Sequence, residues 1–185
     1  MAAQAPDVEI GLQAPNFSLK NVDGRMLRLA DVAGAKGTAI AFICNHCPYV
    51  KAIADRLVRD AEALAGHGVN VVAINSNDAI AYPEDSFDNM KAFAEGFGFS
   101  FPYLHDETQK IARAYGAVCT PDFFGFDADL RLKYRGRLDA SRKEAGSSEL
   151  KRELFEAMMS IAESGQGPAV QLASIGCSIK WREPA

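Results

Sequence analysis

The stretch that decides the fold reads Ala39-Ile40-Ala41-Phe42-Ile43-Cys44-Asn45-His46-Cys47-Pro48-Tyr49-Val50-Lys51. Its first five residues form a continuous apolar run, which is typical of a buried strand. A short polar turn follows, and Pro48 then suits the first turn of a helix, where its missing N–H costs nothing. Two of the four cysteines, Cys44 and Cys47, lie in this strand-to-helix turn with Cys-x-x-Cys spacing.

Two thiols at the start of a helix suggest redox chemistry. The thiolate is the reactive form of cysteine, and the amides and macrodipole at a helix N-terminus stabilise it. Cys47 begins the predicted helix, so we expect it to be the nucleophile and Cys44 to be the partner that closes an intramolecular disulfide. The alternative is two buried cysteines with no chemistry. Spacing, position and the flanking proline favour the redox interpretation.

Length and composition predict one domain, residues 1–185, with a core over about residues 10–165 and a tail over 166–185. The chain has 185 residues, 48% of them apolar, and a formal net charge of −4. This mildly acidic chain lacks a basic run, which argues against nucleic-acid and membrane-surface partners. Its apolar runs are too short to span a membrane. Residues 1–7 show neither the basic start nor the apolar core of a secretory signal, so we expect a cytoplasmic protein.

Hydrophobic periodicity predicts an α/β fold whose central mixed sheet is covered by helices on both faces. The predicted elements are a hairpin over 10–29, a strand over 38–43, a helix from 48 to about 64, a strand over 70–75, helices over 83–97 and 108–115, two antiparallel strands over 118–136 and a helix over 149–161. We expect residues 2–7 to be a loose lead-in and residues 169–185 to be an irregular tail.

Four segments resemble the thioredoxin-fold redoxins, in the branch shared by alkyl hydroperoxide reductase/thiol-specific antioxidant proteins and thioredoxin-like reductases. They are residues 10–19, the hairpin over 23–29, the strand–cysteine–helix unit, and Val118-Cys119-Thr120-Pro121 before the second strand pair. The resemblance covers roughly residues 10–140. It implies a thioredoxin-like fold with an N-terminal β-hairpin extension. It also implies a cis bond before Pro121, which would turn the Thr120 backbone toward the thiols, where a substrate chain could add as a strand.

The cysteines depart from the register of the family they resemble. In thioredoxin-like reductases the first cysteine lies five residues after the last aromatic of the strand. Counted from Phe42 that position is Cys47, and the second cysteine would fall at Val50. Cys44 instead stands where peroxiredoxins carry a threonine. The resemblance therefore leaves open how Cys44 and Cys47 divide the work.

Further residues are expected to shape the site: His46, Pro48, Thr120 and Pro121. His46 either stabilises a thiolate as an imidazolium or is merely exposed. It is similar in type to the histidine of the protein disulfide isomerase motif, which makes the disulfide more oxidising.

Two more cysteines remain. Cys119 is expected to be a small buried residue. Cys177 is either a further redox thiol that swings in or a packed and inert one.

The leading prediction is an oxidoreductase without a cofactor that cycles Cys44 and Cys47 between dithiol and disulfide. Its substrate would be a protein or small-molecule disulfide, and an unidentified thiol would reduce it. A homodimer is left open. A second interpretation, from another enzyme class, is an antioxidant thiol peroxidase in which Cys47 reacts with a peroxide and Cys44 resolves the sulfenic acid. A third is a copper- or zinc-binding module that uses Cys44, His46 and Cys47.

We expect disulfide exchange to be faster than peroxide reduction. Peroxiredoxins supply a threonine three residues before the attacking cysteine and an arginine at the start of the facing strand. In this chain Cys44, which is a poor hydrogen-bond donor, stands in place of the threonine, and Thr120-Pro121 stands in place of the arginine. The loss of one such preorganised donor typically costs ~10²–10³ in rate.

Overall fold

The computed structural model describes residues 2–6, 9–144, 146–147 and 149–182. Asp7 of the predicted lead-in and residues 183–185 of the predicted tail lie outside these ranges. The strands are β1 (Ala2–Gln4), β2 (Ser18–Asn21), β3 (Met26–Arg28), β4 (Gly37–Phe42), β5 (Val69–Asn75), β6 (Tyr103–His105), β7 (Cys119–Thr120), β8 (Asp122–Asp127), β9 (Leu132–Gly136) and β10 (Ile175–Ser178). The α-helices are α1 (Leu29–Val32), α2 (Pro48–Lys51), α3 (Ala54–Ala65), α4 (Phe87–Phe97), α5 (Lys110–Tyr115) and α6 (Glu153–Ser164), with a 3₁₀ turn at Pro83–Asp85.

The main sheet has seven strands in the order β3-β2-β6-β5-β4-β8-β9. Strand β4 lies parallel to β5 and antiparallel to β8, so the sheet is mixed, as predicted. All six residues of β4 are buried. A strand buried on both faces needs a near-continuous apolar sequence, which is what precedes the cysteines. The chain therefore enters the Cys-x-x-Cys turn from the interior of the sheet.

The side chains of β4 alternate between two cores, because successive residues of a strand point to opposite faces. Ala39 and Ala41 join the core beneath α3, α4 and α6. Ile40 and Phe42 join the core beneath α1 and α5. Helices thus cover both faces of the sheet, and the β2–β3 hairpin extends its edge beside β6. These features confirm the predicted fold class.

The expectation of an irregular tail over 169–185 was wrong at Ile175–Ser178, which form β10. This strand pairs antiparallel with β7 on one side and with β1 on the other, in a second sheet of order β1-β10-β7. The expectation of a loose lead-in was wrong for the same reason, since Ala2–Gln4 is β1. Ala2–Gln4 is too short to show the alternation that predicts a strand, whereas residues 175–180, Ile-Gly-Cys-Ser-Ile-Lys, do alternate, a signal that the sequence prediction did not use. Their order comes from pairing with residues far away in sequence.

Two helices differ from their predicted bounds. The helix expected to run unbroken from Pro48 is interrupted at Ala52 and Ile53, where the φ of Ile53 is −117°. The last helix was expected to begin at Glu149 and instead begins at Glu153. Within the described ranges, no helix combines the length and apolarity that crossing a bilayer requires.

Candidate active site

The Cys-x-x-Cys turn ends at the start of α2. Cys47 is the N-cap residue, with φ −69° and ψ 121°, and Pro48 takes the first helical position. The backbone N–H groups of Val50 and Lys51 both donate to the Cys47 carbonyl oxygen. Cys47 therefore occupies the helix start, as the sequence predicts, and Cys44 lies in the turn before it.

The loop at Thr120 and Pro121 packs against both thiols. The peptide bond between these residues is cis, as the resemblance implies. The Cys47 Sγ lies 3.2 Å from the Thr120 carbonyl oxygen, and the Cys44 Sγ lies 3.3 Å from the Thr120 hydroxyl. The fold thus brings together four predicted site residues, Cys44, Cys47, Thr120 and Pro121.

The surroundings of the two thiols move their pKa values in opposite directions. A hydrogen bond from the Cys44 thiol lowers the pKa of Cys47 despite its burial, and the thiol and backbone N–H of Cys177 and the N–H of Val50 lower it further. The same thiol–thiol hydrogen bond raises the pKa of Cys44 far above the ordinary range, and burial and the charge of Asp85 raise it further. These opposite shifts favour Cys47 over Cys44 as the thiolate.

One contact opposes this assignment. The Cys47 thiol can donate a hydrogen bond to the Thr120 carbonyl oxygen, and that bond favours the protonated form. A thiol is a weak donor, whereas hydrogen bonds to an ionised acceptor are about twice as strong as neutral ones. Several donors face the Cys47 sulfur against this one carbonyl, so the net pKa shift is downward.

Neither sulfur of the motif lies at the surface. Cys44 and Cys47 are both 0% exposed, whereas Cys177 on the neighbouring β10 is half-buried. Beside them lies a small groove, with about 30 Å³ of free space, whose lining includes Tyr49, Pro121 and Ile175. The sequence offered no reason to assign a role to Tyr49. Its position between the motif and the groove makes it part of the site's wall.

A buried carboxylate that the sequence marks only as part of a helix start organises the turn. Asp85 is 0% exposed. Its oxygens accept hydrogen bonds from the Asn45 N–H at 2.7 Å and from the Asn77 side-chain amide at 2.7 Å. The Nδ1 of His46 lies 2.6 Å from the same carboxylate. We call Asn45, His46, Asn77 and Asp85 the Asp85 network.

The Asp85 network fixes the orientation of His46. The carboxylate contacts Nδ1, and the imidazole ring stacks on the exposed Tyr82 with ring centroids 5.9 Å apart. The His46 side chain is 26% exposed. His46 is therefore held in place rather than merely exposed.

Three potential metal ligands meet near the same point. One ligand atom each from Cys44, His46 and Asp85 lies within 4.8 Å of the other two. The predicted set contained Cys47, which is not in this group. Asp85 already accepts hydrogen bonds from two amide groups as well as contacting His46, so its lone pairs are largely used. The group is better suited to orienting His46 than to holding an ion.

Two groups near the loop have no direct contact with the motif thiols. Cys119 is 0% exposed, and burial raises its pKa, which agrees with the packed residue expected from sequence. Arg135 donates to the Asp122 carboxylate at 2.8 Å and to the Gly116 carbonyl oxygen at 2.8 Å. Arg135 is therefore paired away from the thiols.

Comparison with known proteins agrees with this geometry. Residues 10–135 match the profile described as the AhpC/TSA family. The chain belongs to the AhpC/TSA family. A relative named thiol-disulfide oxidoreductase ResA, from Geobacillus thermodenitrificans, is 29% identical over 133 residues, which cover 68% of each protein.

Solved structures resemble the whole chain or its thioredoxin-like part. An uncharacterized conserved protein from Geobacillus kaustophilus is 50% identical, with a TM-score of 0.94 over 100% of this chain and 98% of that one. A secreted Mycobacterium tuberculosis disulfide oxidoreductase superposes with a TM-score of 0.56 over 71% of this chain and 87% of its own, at 21% identity. The second likeness concerns the fold alone. The AhpC/TSA chain is therefore a thioredoxin-fold redoxin and an oxidoreductase.

Proposed function

We propose that this AhpC/TSA protein is a thiol–disulfide oxidoreductase that cycles Cys44 and Cys47 between dithiol and disulfide. The observation that carries the proposal is the unequal environment of two adjacent thiols. Cys47 begins α2 and faces hydrogen-bond donors, whereas Cys44 faces Asp85 and the Cys47 sulfur. A nucleophile with a lowered pKa beside a protonated thiol is the arrangement that two-step disulfide exchange needs.

The reaction proceeds through a mixed disulfide. The Cys47 thiolate attacks one sulfur of a substrate disulfide, a bond forms between them, and the other substrate sulfur leaves with the electron pair and takes up a proton. Cys44 then loses its proton and attacks the Cys47 sulfur, which releases the second substrate thiol. The products are a Cys44–Cys47 disulfide and a reduced substrate. An external thiol reductant returns the enzyme to the dithiol form.

His46 is the proposed acceptor of the Cys44 proton. A ring nitrogen of His46 lies within 4.8 Å of the Cys44 sulfur, and Asp85 holds the ring in place. Once Cys47 is part of a mixed disulfide, it no longer carries the negative charge that holds the Cys44 proton. Deprotonation of Cys44 then becomes easier, and an oriented histidine is well suited to take the proton.

The site favours a small disulfide, or the exposed disulfide of a protein, over an extended peptide. The strand edge beside the cis-proline, where a peptide would add, is already paired with β10. A relative carries the name thiol-disulfide oxidoreductase, which supports the reaction class. We propose the cytoplasm as the compartment, because glutathione and thioredoxin keep thiols reduced there.

A redox titration tests this function. The protein is equilibrated in glutathione buffers of graded potential, alkylated, and mapped by mass spectrometry. We expect Cys44 and Cys47 to lose and regain alkylation together in the Cys177→Ser variant, with a Cys44–Cys47 disulfide in the oxidised sample. Oxidised protein in which Cys44 remains a free thiol throughout would exclude the proposed pair.

The peroxidase alternative has its own test. We expect the reduced protein to react with a small disulfide faster than with hydrogen peroxide in stopped-flow measurements. The physical reason is that Arg135 is paired with Asp122 and Gly116 and that Arg113 stacks over Trp181 at 4.2 Å. Of the two arginines that line the groove beside Pro121, Arg137 is paired with Glu153, which leaves Arg142. A peroxide rate far above that of a free thiol at the same pH, lost on Cys47→Ser, would make the peroxidase the main function.

A further inference from the structure

The strand β10 occupies the place where a substrate strand would pair. It lies antiparallel to β7, with Cys177 opposite Thr120 and Ser178 opposite Cys119. Thr120 is the residue whose carbonyl oxygen contacts the Cys47 sulfur. A chain that adds to this edge therefore presents the residue opposite Thr120 beside Cys47, and in this protein that residue is a cysteine.

The close approach of β10 depends on a glycine. A Cβ atom added to Gly176 would overlap the Thr120 carbonyl oxygen. Further contacts hold the strand in this position. The N–H of Ala5 donates to the Ser174 carbonyl oxygen, and the N–H of Ile179 donates to the Val118 carbonyl oxygen, each at 2.9 Å. The strand is thus a built part of the site rather than a loose end.

Three thiols consequently form one cluster with different access to solvent. Cys44 and Cys47 belong to one buried cluster, and Cys177 packs against it and lies close enough to Cys47 to lower the pKa of that thiol. Cys44 and Cys47 are fully buried, and Cys177 is half-buried. Cys177 is the most accessible of the three sulfurs, so an external thiol reaches it more readily than the buried pair, since disulfide exchange depends on access to the sulfur that is attacked.

We propose that β10 is a built-in substrate strand and that Cys177 forms a second disulfide with Cys47, which passes electrons between the buried pair and external thiols. The proposal rests on the proposed Cys44–Cys47 cycle. The Cys177 thiolate attacks the Cys47 sulfur of the Cys44–Cys47 disulfide. A Cys47–Cys177 bond forms, and Cys44 leaves with the electron pair and takes up a proton.

A second exchange completes the relay. An external thiolate attacks the Cys177 sulfur, and Cys47 leaves as a thiolate. A thiol of low pKa is the better leaving group, and Cys47 has the lowered pKa of the cluster. A second external thiolate then attacks the external sulfur of the mixed disulfide, and Cys177 leaves as a thiolate and takes up a proton. The net result is that two external thiols become one external disulfide while the enzyme regains its thiols.

The charge on Cys47 controls when Cys177 reacts. Burial raises the pKa of Cys177, and the hydrogen bond to Cys47 and the charge on Cys47 raise it further. When Cys47 is bound in a disulfide, that hydrogen bond and that charge are gone. Cys177 therefore becomes a better nucleophile only in the state in which its attack is productive.

The test is disulfide mapping of Cys44→Ser protein after oxidation with glutathione disulfide. We expect a Cys47–Cys177 disulfide, with little glutathione retained on Cys47. We also expect the rate at which glutathione reduces the oxidised Cys177→Ser variant to be lower than the wild-type rate by roughly tenfold or more, because the remaining target sulfurs are buried. Cys119→Ala, which removes a buried thiol outside the cluster, is the matched control and should reduce at the wild-type rate.

The outcomes separate this proposal from the proposed function. A stable glutathione adduct on Cys47 in Cys44→Ser, with Cys177 still free, would overturn the relay while leaving the Cys44–Cys47 cycle intact. A Cys47–Cys177 disulfide in wild type, together with no Cys44–Cys47 disulfide in Cys177→Ser, would support the second disulfide and overturn the cycle. Should Cys177→Ser misfold, wild-type protein titrated with substoichiometric oxidant must still yield some Cys47–Cys177 disulfide, and its absence would contradict the relay.

Discussion

The two cysteines of the Cys-x-x-Cys turn face different regions of the molecule. Cys44 lies against the Thr120 hydroxyl and near the Asp85 network, where a buried negative charge disfavours a thiolate. Cys47 lies at the start of α2 and faces β10, where a second thiol and backbone N–H groups favour a thiolate. Two residues of one type, three positions apart, therefore differ in chemistry because of neighbours that the motif does not contain.

The largest effect should come from removing the nucleophile. We expect Cys47→Ser to lower the rate of exchange with a small disulfide by about a hundredfold or more, because the remaining thiols have raised pKa values and little thiolate. The rate can be followed by release of a coloured thiol from an aromatic disulfide.

The matched variant retains Cys47 and lacks both candidate resolving thiols. Cys44→Ser combined with Cys177→Ser should react once and then hold a mixed disulfide on Cys47, seen as an added mass. If Cys47→Ser traps the substrate and this double variant does not, the nucleophile is Cys44 and not Cys47.

A smaller effect should follow from neutralising the charge behind Cys44. Asp85→Asn replaces a buried carboxylate that accepts charge-assisted hydrogen bonds, so we expect a loss of about 2 kcal/mol in the free energy of unfolding. The charge of Asp85 raises the pKa of Cys44, so its removal should lower that pKa. In the Cys177→Ser background, the pH profile for release of the mixed disulfide should therefore shift to lower pH.

The control for this prediction is Asp88→Asn, which removes an exposed carboxylate nearby in sequence. It should change neither the stability nor the pH profile, because an exposed charge is screened by solvent. An Asp85→Asn profile that stays at the wild-type position would show that the Asp85 network does not act on Cys44.

The smallest effect should come from the hydroxyl of Thr120. Its hydrogen bond with Cys44 lowers the pKa of that thiol, so Thr120→Val should slow the release of the mixed disulfide about fivefold, in line with a hydrogen bond worth ~1 kcal/mol. Thr120→Ser keeps the hydroxyl and should retain the wild-type rate. Equal rates for the valine and serine variants would remove Thr120 from the chemistry of Cys44.

The parts of the site that follow the local chain could be predicted from sequence. The apolar run before Cys44, Pro48 after Cys47 and the Thr120-Pro121 pair each carry a local signal, and the structure has a buried strand, a helix start and a cis bond at these places. The mixed sheet follows from the same order of elements. Local periodicity and turn chemistry are sufficient for such features.

The parts that depend on tertiary contacts could not be predicted. Asp85 lies in a 3₁₀ turn 38 residues after Cys47, and nothing in its neighbouring sequence indicates that its carboxylate points at His46. Cys177 lies in a short strand whose partner β7 has two residues. Strand pairing over such a distance is set by packing and free edges, which a single sequence does not reveal.

The central claim is that the fold makes the two thiols unequal and gives Cys47 the lower pKa. The most direct measurement is substoichiometric alkylation of fully reduced wild-type protein across a pH series, with mass-spectrometric mapping of each cysteine. We expect Cys47 to be labelled first and to keep reacting well below the ordinary thiol pKa of 9.0, while Cys177 reacts only at high pH and Cys44 and Cys119 stay unlabelled. Labelling of Cys44 ahead of Cys47, or a Cys47 rate that rises only through the ordinary thiol range, would contradict it.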